Sequence, residues 1–155
     1  MKNLIVIFII LYLSGCTSKG EDNIYLLENG YTGKVIIIYN EQMGAEIEYE
    51  GNKRLYRIPA SGVLKTQFSI DQGYKLFPEF YYDNNGERLG IPVVVDLTEN
   101  DENRVVVTLS TIGKLYNAYG KIGLEYSVFY VGSNEQIRKS SEEFAKLNLL
   151  DFAKK

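Results

Sequence analysis

The chain of 155 residues contains no histidine and no tryptophan, and only one cysteine and three prolines. Each scarcity removes a class of chemistry. Without histidine there is no Ser-His-Asp or Cys-His nucleophile system and no ordinary zinc site. A hydrolase would have to use paired carboxylates or a Ser-Lys arrangement. Cys16 is the single thiol, so no intrachain disulfide can form and the fold must hold by packing alone. No apolar run approaches the roughly 20 residues that a transmembrane helix needs. Basic patches interleaved with aromatics are also missing, and the formal charge is −3, which argues against a nucleic-acid partner. Residues 113–123 hold three glycines but lack the lysine-serine ending of a phosphate-binding loop. Nothing in the sequence asks for a cofactor or a metal.

What is present begins with an address. Lys2 gives the first three residues a positive charge, and residues 4–13 (LIVIFIILYL) are apolar without a break. As a helix that run is about 15 Å long, half a bilayer core, which is too short to span. A positive start, a short apolar run and small residues after it are the layout of a secretory signal peptide. Leu13-Ser14-Gly15-Cys16 resembles the lipobox of bacterial lipoproteins. That resemblance implies diacylglyceryl transfer to the Cys16 sulfur, cleavage before Cys16, and acylation, for example by palmitate, of the new amino terminus. Each buried methylene adds about 0.8 kcal/mol, so two or three chains make release from the membrane very slow.

The expected organisation follows. Residues 1–15 are a lipoprotein signal peptide, residues 16–23 are the lipidated cysteine and a flexible tether, and residues 24–155 are one domain. It would sit in the cell envelope on the exported side of a bacterial membrane. Residues 17–23 carry no apolar side chain, which is why they read as a tether. Glu21 and Asp22 stand where some bacteria read acidic residues as a signal for surface display; a plain polar linker is the alternative. About 140 residues remain after removal of the signal, enough to bury about two-thirds of the unfolded surface.

From residue 24 to residue 131 short β-rich runs alternate with Gly, Asn and Asp turns, the pattern of an antiparallel all-β domain. Residues 34–39 are continuous and β-branched, so they predict a central strand covered on both faces. Ala45, Ile47 and Tyr49 alternate with Glu46, Glu48 and Glu50, predicting one core face and one wet face. Further strands are expected at residues 54–58, 63–68, 77–82, 93–97, 104–109 and 124–131. Asn84-Asn85-Gly86 is a hairpin signal, because Asn and Gly tolerate positive φ. Eight or nine strands bury two apolar faces most naturally as a two-sheet antiparallel β-sandwich.

The period then changes. Ser133-Asn134-Glu135-Gln136 has the form of a capping box, and Ile137, Phe144, Leu147 and Leu150 lie near one helical face. A C-terminal α-helix packed on the sandwich is expected. The stretches Leu27-Glu28-Asn29-Gly30-Tyr31-Thr32-Gly33-Lys34-Val35, Tyr56-Arg57-Ile58-Pro59-Ala60-Ser61-Gly62-Val63-Leu64-Lys65-Thr66, Phe80-Tyr81-Tyr82-Asp83 and Phe129-Tyr130-Val131-Gly132 resemble a family of uncharacterised bacterial lipoprotein domains. The motifs are strand and turn residues. The resemblance therefore implies a domain of unknown function, with no catalytic signature.

Several groups are candidates for chemistry. Glu46, Glu48 and Glu50 share a strand face, and Asp96, Glu99, Asp101 and Glu102 crowd one loop; a solvated surface explains both. The acidic turns at residues 83–87 and 96–103 offer oxygen ligands but do not match the calcium loop of an EF-hand. Tyrosine is abundant, with 13 copies. Tyr116, Asn117 and Tyr119 lie in the glycine-punctuated stretch 113–123, between Lys114 and Lys121, and are the candidate partner-binding residues. The alternative there is a long hairpin with its tyrosines packed back on the sheet. The sequence thus predicts an anchored domain that binds or has a structural role, with membrane lipid met through Cys16 and an envelope protein or a glycan as partner. A lipocalin-like barrel carrying a small ligand and a carboxylate-based hydrolase are the alternatives.

Overall fold

The β-branched run at residues 35–38 becomes the middle of the molecule because it can be covered on both faces. The computed structural model describes residues 19–71, 73, 77–99, 101–117 and 119–153. Residues 1–18, and with them the expected signal peptide and Cys16, lie outside the described residues. The strands are β1 (Asn23–Glu28), β2 (Gly33–Ile38), β3 (Tyr49–Glu50), β4 (Lys53–Arg57), β5 (Val63–Lys65), β6 (Glu79–Asn84), β7 (Glu87–Gly90), β8 (Val93–Val94), β9 (Val106–Thr108), β10 (Thr111–Tyr116) and β11 (Ile122–Gly132). Two helices, α1 (Asn134–Ala145) and α2 (Leu150–Ala153), follow. The first sheet has the order β3-β4-β1-β6-β7. The second has the order β5-β2-β11-β9-β8, with β10 beside β11.

Both sheets are open, so the barrel alternative does not hold. The antiparallel expectation holds only in part, because the sheets are mixed. β1 runs parallel to β4 and β6, β2 to β5, and β8 to β9. The reason is how the chain travels. From β1 it crosses to the second sheet for β2, returns for β3 and β4, and crosses again for β5. β4 and β6 each come back to the first sheet in the direction of β1, and β5 comes back to the second in the direction of β2. Period-two patterning reports which face a residue takes and is silent on direction. We call the end at which β1, β4 and β6 begin the entry end. There β2 and β5 finish, and the β10–β11 hairpin turns.

Three layers result. Between the sheets, Tyr25, Tyr56, Phe80 and Phe129 interleave with Val35, Ile37, Val107 and Val131. The Tyr25 ring stacks on Tyr56 at 4.9 Å and on Phe80 at 4.8 Å. On the outer face of the second sheet, Ile36, Ile38, Leu124 and Val128 meet Phe144, Leu149 and Phe152 of the C-terminal region. The outer face of the first sheet buries Ile24, Leu26 and Leu55, with Tyr81 packed against them. Around it stand long charged side chains paired as Arg57–Glu48 and Arg88–Glu50, whose stems can shield apolar surface.

The capping box forms as expected: the Ser133 hydroxyl accepts from the Gln136 amide, and the Gln136 side chain accepts from the Ser133 amide at 2.9 Å. Asn85 and Gly86 take positive φ of 53° and 91° in the β6–β7 hairpin, again as expected. The strand expected at residues 45–50 shrinks to β3, and Ile47 and Tyr49 are about half exposed. That segment is the crossing from the second sheet to the first: Ala45 keeps a single bridge to Thr66, and only Tyr49 and Glu50 join the first sheet. In residues 113–123 the irregular stretch is mostly strand, with the turn confined to residues 117–121.

Candidate functional site

At the entry end the two sheets diverge and leave a cleft of about 340 Å³. Tyr25 and Tyr56 face it because their neighbours Ile24, Leu26 and Leu55 point to the other side of the first sheet. Tyr39 follows β2, and Ser127 is the one polar residue among the inward positions 127, 129 and 131 of β11. Ile70, Pro78, Leu109 and Ile112 add apolar wall. Tyr39 and Ser127 share a hydrogen bond at 3.0 Å, and the Asn23 amide donates to the Tyr25 hydroxyl at 3.1 Å. Asn23 Oδ1 and Ser110 Oγ, of residues that also line the cleft, are buried with no hydrogen-bond partner among the described residues. Burial pushes the Tyr25, Tyr39 and Tyr56 phenols above their ordinary range, so at neutral pH they are uncharged donors and acceptors.

The N-terminal segment closes one side of this end. Gly20 and Gly73 approach so closely that a Cβ on Gly73 would sit against the Gly20 backbone. The Glu21 amide donates to Asp71 Oδ2 at 2.5 Å. Arg54, nearly buried, donates from Nε to Glu21 Oε2 at 2.6 Å and from Nη1 to the Ser69 carbonyl at 2.6 Å. The tether expected over residues 16–23 is therefore tied to the domain from Gly20 onward. Its polar side chains have partners on the sheet, which composition alone does not reveal.

The sequence-predicted residues Tyr116, Asn117 and Tyr119 come together at the tip of the β10–β11 hairpin, apart from the cleft lining. Tyr119 is 89 % exposed and Tyr116 59 %, so neither ring packs back on the sheet. Asn117 is engaged in the turn: its Oδ1 accepts from the Tyr119 and Lys121 amides at 2.9 and 3.1 Å. Lys114 is held by Glu125 at 2.7 Å, so it does not flank the tip as a free charge.

Five of the candidate carboxylates, Glu48, Glu50, Asp83, Asp96 and Asp101, have structural work. Glu48 pairs with Arg57, and Glu50 takes both Arg88 nitrogens at 2.8 and 2.6 Å. Asp83, Asp96 and Asp101 accept backbone amides within their own turns, the reason Asp is favoured there. No group of three potential metal ligands occurs among the described residues. The residues that reading the sequence missed are Tyr25, Tyr39 and Tyr56, which the strand pattern does not set apart from the other tyrosines. The available signal was Ser127, a hydroxyl at an inward position of an otherwise apolar strand.

The fold and site define a class: a mixed two-sheet sandwich with a C-terminal helix and a tyrosine-lined cleft where the chain enters. The chain belongs to DUF6843, a family of unknown function, whose model matches residues 19–141. No curated protein matches it. Its fold is similar to that of a candidate lipoprotein from Bacillus anthracis seen in a crystal structure. The TM-score is 0.55 at 18% identity, over 76% of this chain and 74% of that one. No helix among the described residues is long and apolar enough to cross a membrane.

Proposed function

We propose that the chain is a lipid-anchored protein of the bacterial cell envelope, held by acylated Cys16, whose exported domain works by binding rather than catalysis. The observation that carries the binding role is the cleft, with Asn23 Oδ1 and Ser110 Oγ buried in its wall and without a partner among the described residues. Buried acceptors without partners are costly unless something donates to them. The surrounding phenols are neutral, and both oxygens of Asp71, the carboxylate in the lining, already accept the Glu21 and Gly73 amides, so the fitting ligand is a small uncharged molecule bearing hydroxyl or amide groups, such as one glycan unit. Its hydroxyls would donate to Asn23 and Ser110 while its carbon skeleton lies on Ile70, Leu109 and Ile112. A cleft of this size is at the small end of ligand pockets. Catalysis has less support, because each carboxylate with a displaced pKa is pushed down by a paired cation or a turn amide, the wrong direction for a general acid.

Two measurements test the two halves of this reading. Cys16→Ala should abolish palmitate labelling and move the protein out of the membrane fraction; equal labelling of both forms would end the anchoring claim. For the cleft, N-acetylglucosamine should raise the melting temperature of the detergent-solubilised lipidated protein. Ser110→Ala and Tyr39→Phe should diminish that rise. A rise of equal size in all three proteins would place binding elsewhere, and no rise in the wild type would reject the ligand class.

A further inference from the structure

The exposed apolar side chains are unevenly placed. The far end turns at Asn29-Gly30, at residues 59–62 and at Asn85-Gly86 without a large apolar residue, and the loop after β8, tied to Asn134, exposes a single aliphatic side chain, Val95, and no aromatic ring. The entry end carries more. Met43, 97 % exposed, lies in the turn after β2 that is pinned beside β5 by bonds from Glu41 to Thr66 and from Ala45 to Lys65. Phe77, 68 % exposed, precedes β6. Tyr116 and Tyr119 are on the hairpin tip, which projects farther because Ile38, the last residue of β2, pairs with Tyr126 while residues 122–125 of β11 run on past it. Met43, Phe77 and the tyrosines are carried by three separate segments of one end. They are the three supports a flat surface needs.

The chain also enters at this end. Gly20 is buried against Asp71 and Gly73, so the domain is fixed from that residue onward. From Lys19 back to Cys16 is three residues, and extended chain spans about 3.3–3.6 Å per residue, so the reach is about 10 Å. Once Cys16 carries acyl chains, the entry end has no room to stand far from the bilayer. Arg54 with Glu21, Lys53 with Glu79 and Lys114 with Glu125 neutralise part of the charge at this end, and Lys121, exposed on the hairpin tip beside Tyr119, is placed to meet anionic headgroups while the rings make the apolar contact. Tyrosine and phenylalanine are suited to it, since aromatic rings favour the headgroup level.

We infer that the entry end is a membrane-docking face, with Met43, Phe77, Tyr116 and Tyr119 seated in the headgroup region of the leaflet that holds the Cys16 acyl chains. The inference rests on the proposed anchoring, and it assigns the tip tyrosines to lipid rather than to a protein partner. It also turns the cleft mouth toward the membrane surface.

The absence of tryptophan makes the test direct. Phe77→Trp and Tyr119→Trp each place one indole on the face, and Glu87→Trp places one at the far end of the β6–β7 hairpin. All three sites are exposed, and the melts should match the wild type. Each full-length lipidated variant is reconstituted into phosphatidylcholine–phosphatidylglycerol vesicles with brominated acyl chains, and flotation is measured alongside fluorescence. Emission from the Phe77 and Tyr119 sites should be blue-shifted and quenched at least about twofold more than emission from the Glu87 site. If the protein floats with the vesicles but the three indoles behave alike, docking is overturned and anchoring stands. If it does not float, anchoring fails and takes docking with it.

Discussion

Arg54 gives each part of its guanidinium an address. Nε meets Glu21, Nη1 meets the Ser69 carbonyl, and the plane lies over the Phe68 ring at 4.8 Å. The hydrogen bond from Arg54, with one from the Tyr49 hydroxyl, holds the Glu21 carboxyl below its ordinary value of 4.5. A carboxylate depressed in the folded state adds stability that is present above about pH 4.5 and lost as pH falls through the lower folded value. Glu79, held by Lys53, and Glu143, held by Lys34, act in the same direction. The buried phenols of Tyr25, Tyr39 and Tyr56 are displaced upward from 10, so their contribution is present below pH 10 and lost as pH rises beyond it. With no histidine to titrate between these windows, the melting temperature should be flat from pH 6 to 8, falling below about 4.5 and above about 10. Glu21→Gln should lower the neutral-pH melt and flatten the acid limb. A steep change between pH 6 and 8, followed by circular dichroism, would contradict this account.

The C-terminal helix separates what packs from what merely follows. Phe144 is half-buried, with ring centres 6.2 Å from Tyr126 and 6.4 Å from Tyr130, while Lys139 is exposed. Truncating a fully buried Phe costs about 3–5 kcal/mol, and a half-buried one less, so Phe144→Ala should destabilise by about 2 kcal/mol. Lys139→Ala should stay within about 0.5 kcal/mol. Thermal melts of the pair decide it; equal melts would mean the helix does not support the sheet. This element was legible from Ser133 to Gln136 because a capping box is local. Leu147 and Leu150 read as core but are more than one-third exposed, since α1 ends at Ala145 and the two stand outside its helical register. The cleft was not legible. Tyr25 and Tyr56 alternate like any core residue, and only the parting of two sheets, a tertiary fact, turns their hydroxyls into a lining.

The whole domain has two sheets, three apolar layers, no pairable cysteines and no assembled metal ligands among its described residues. Residues 17–155 should therefore fold alone, with strand-rich circular dichroism and one cooperative melt that ignores reductant and chelator. A rise of many degrees in millimolar calcium would show that the acidic turns bind after all. At this scale the sequence made many strand positions and the central role of residues 34–39 legible, because burial on both faces leaves a continuous apolar run, whereas β1 and β10 were not among the expected strands. Strand direction was hidden, since β1, β4 and β6 owe their shared direction to crossings made elsewhere in the chain.

β11 lies between β2 on one side and β9 and β10 on the other, and it is the last strand to be made. Until residues 122–132 are available the second sheet has no middle: β2 and β9 are flanks without a common neighbour. A chain threaded through a translocation channel from its N-terminus, as the proposed export requires, would thus be unable to complete its sandwich before residue 132 has emerged. Such long-range pairing is slow to form, and it must wait for β11. The strand order acts as a timer, keeping the polypeptide threadable until its central strand is through.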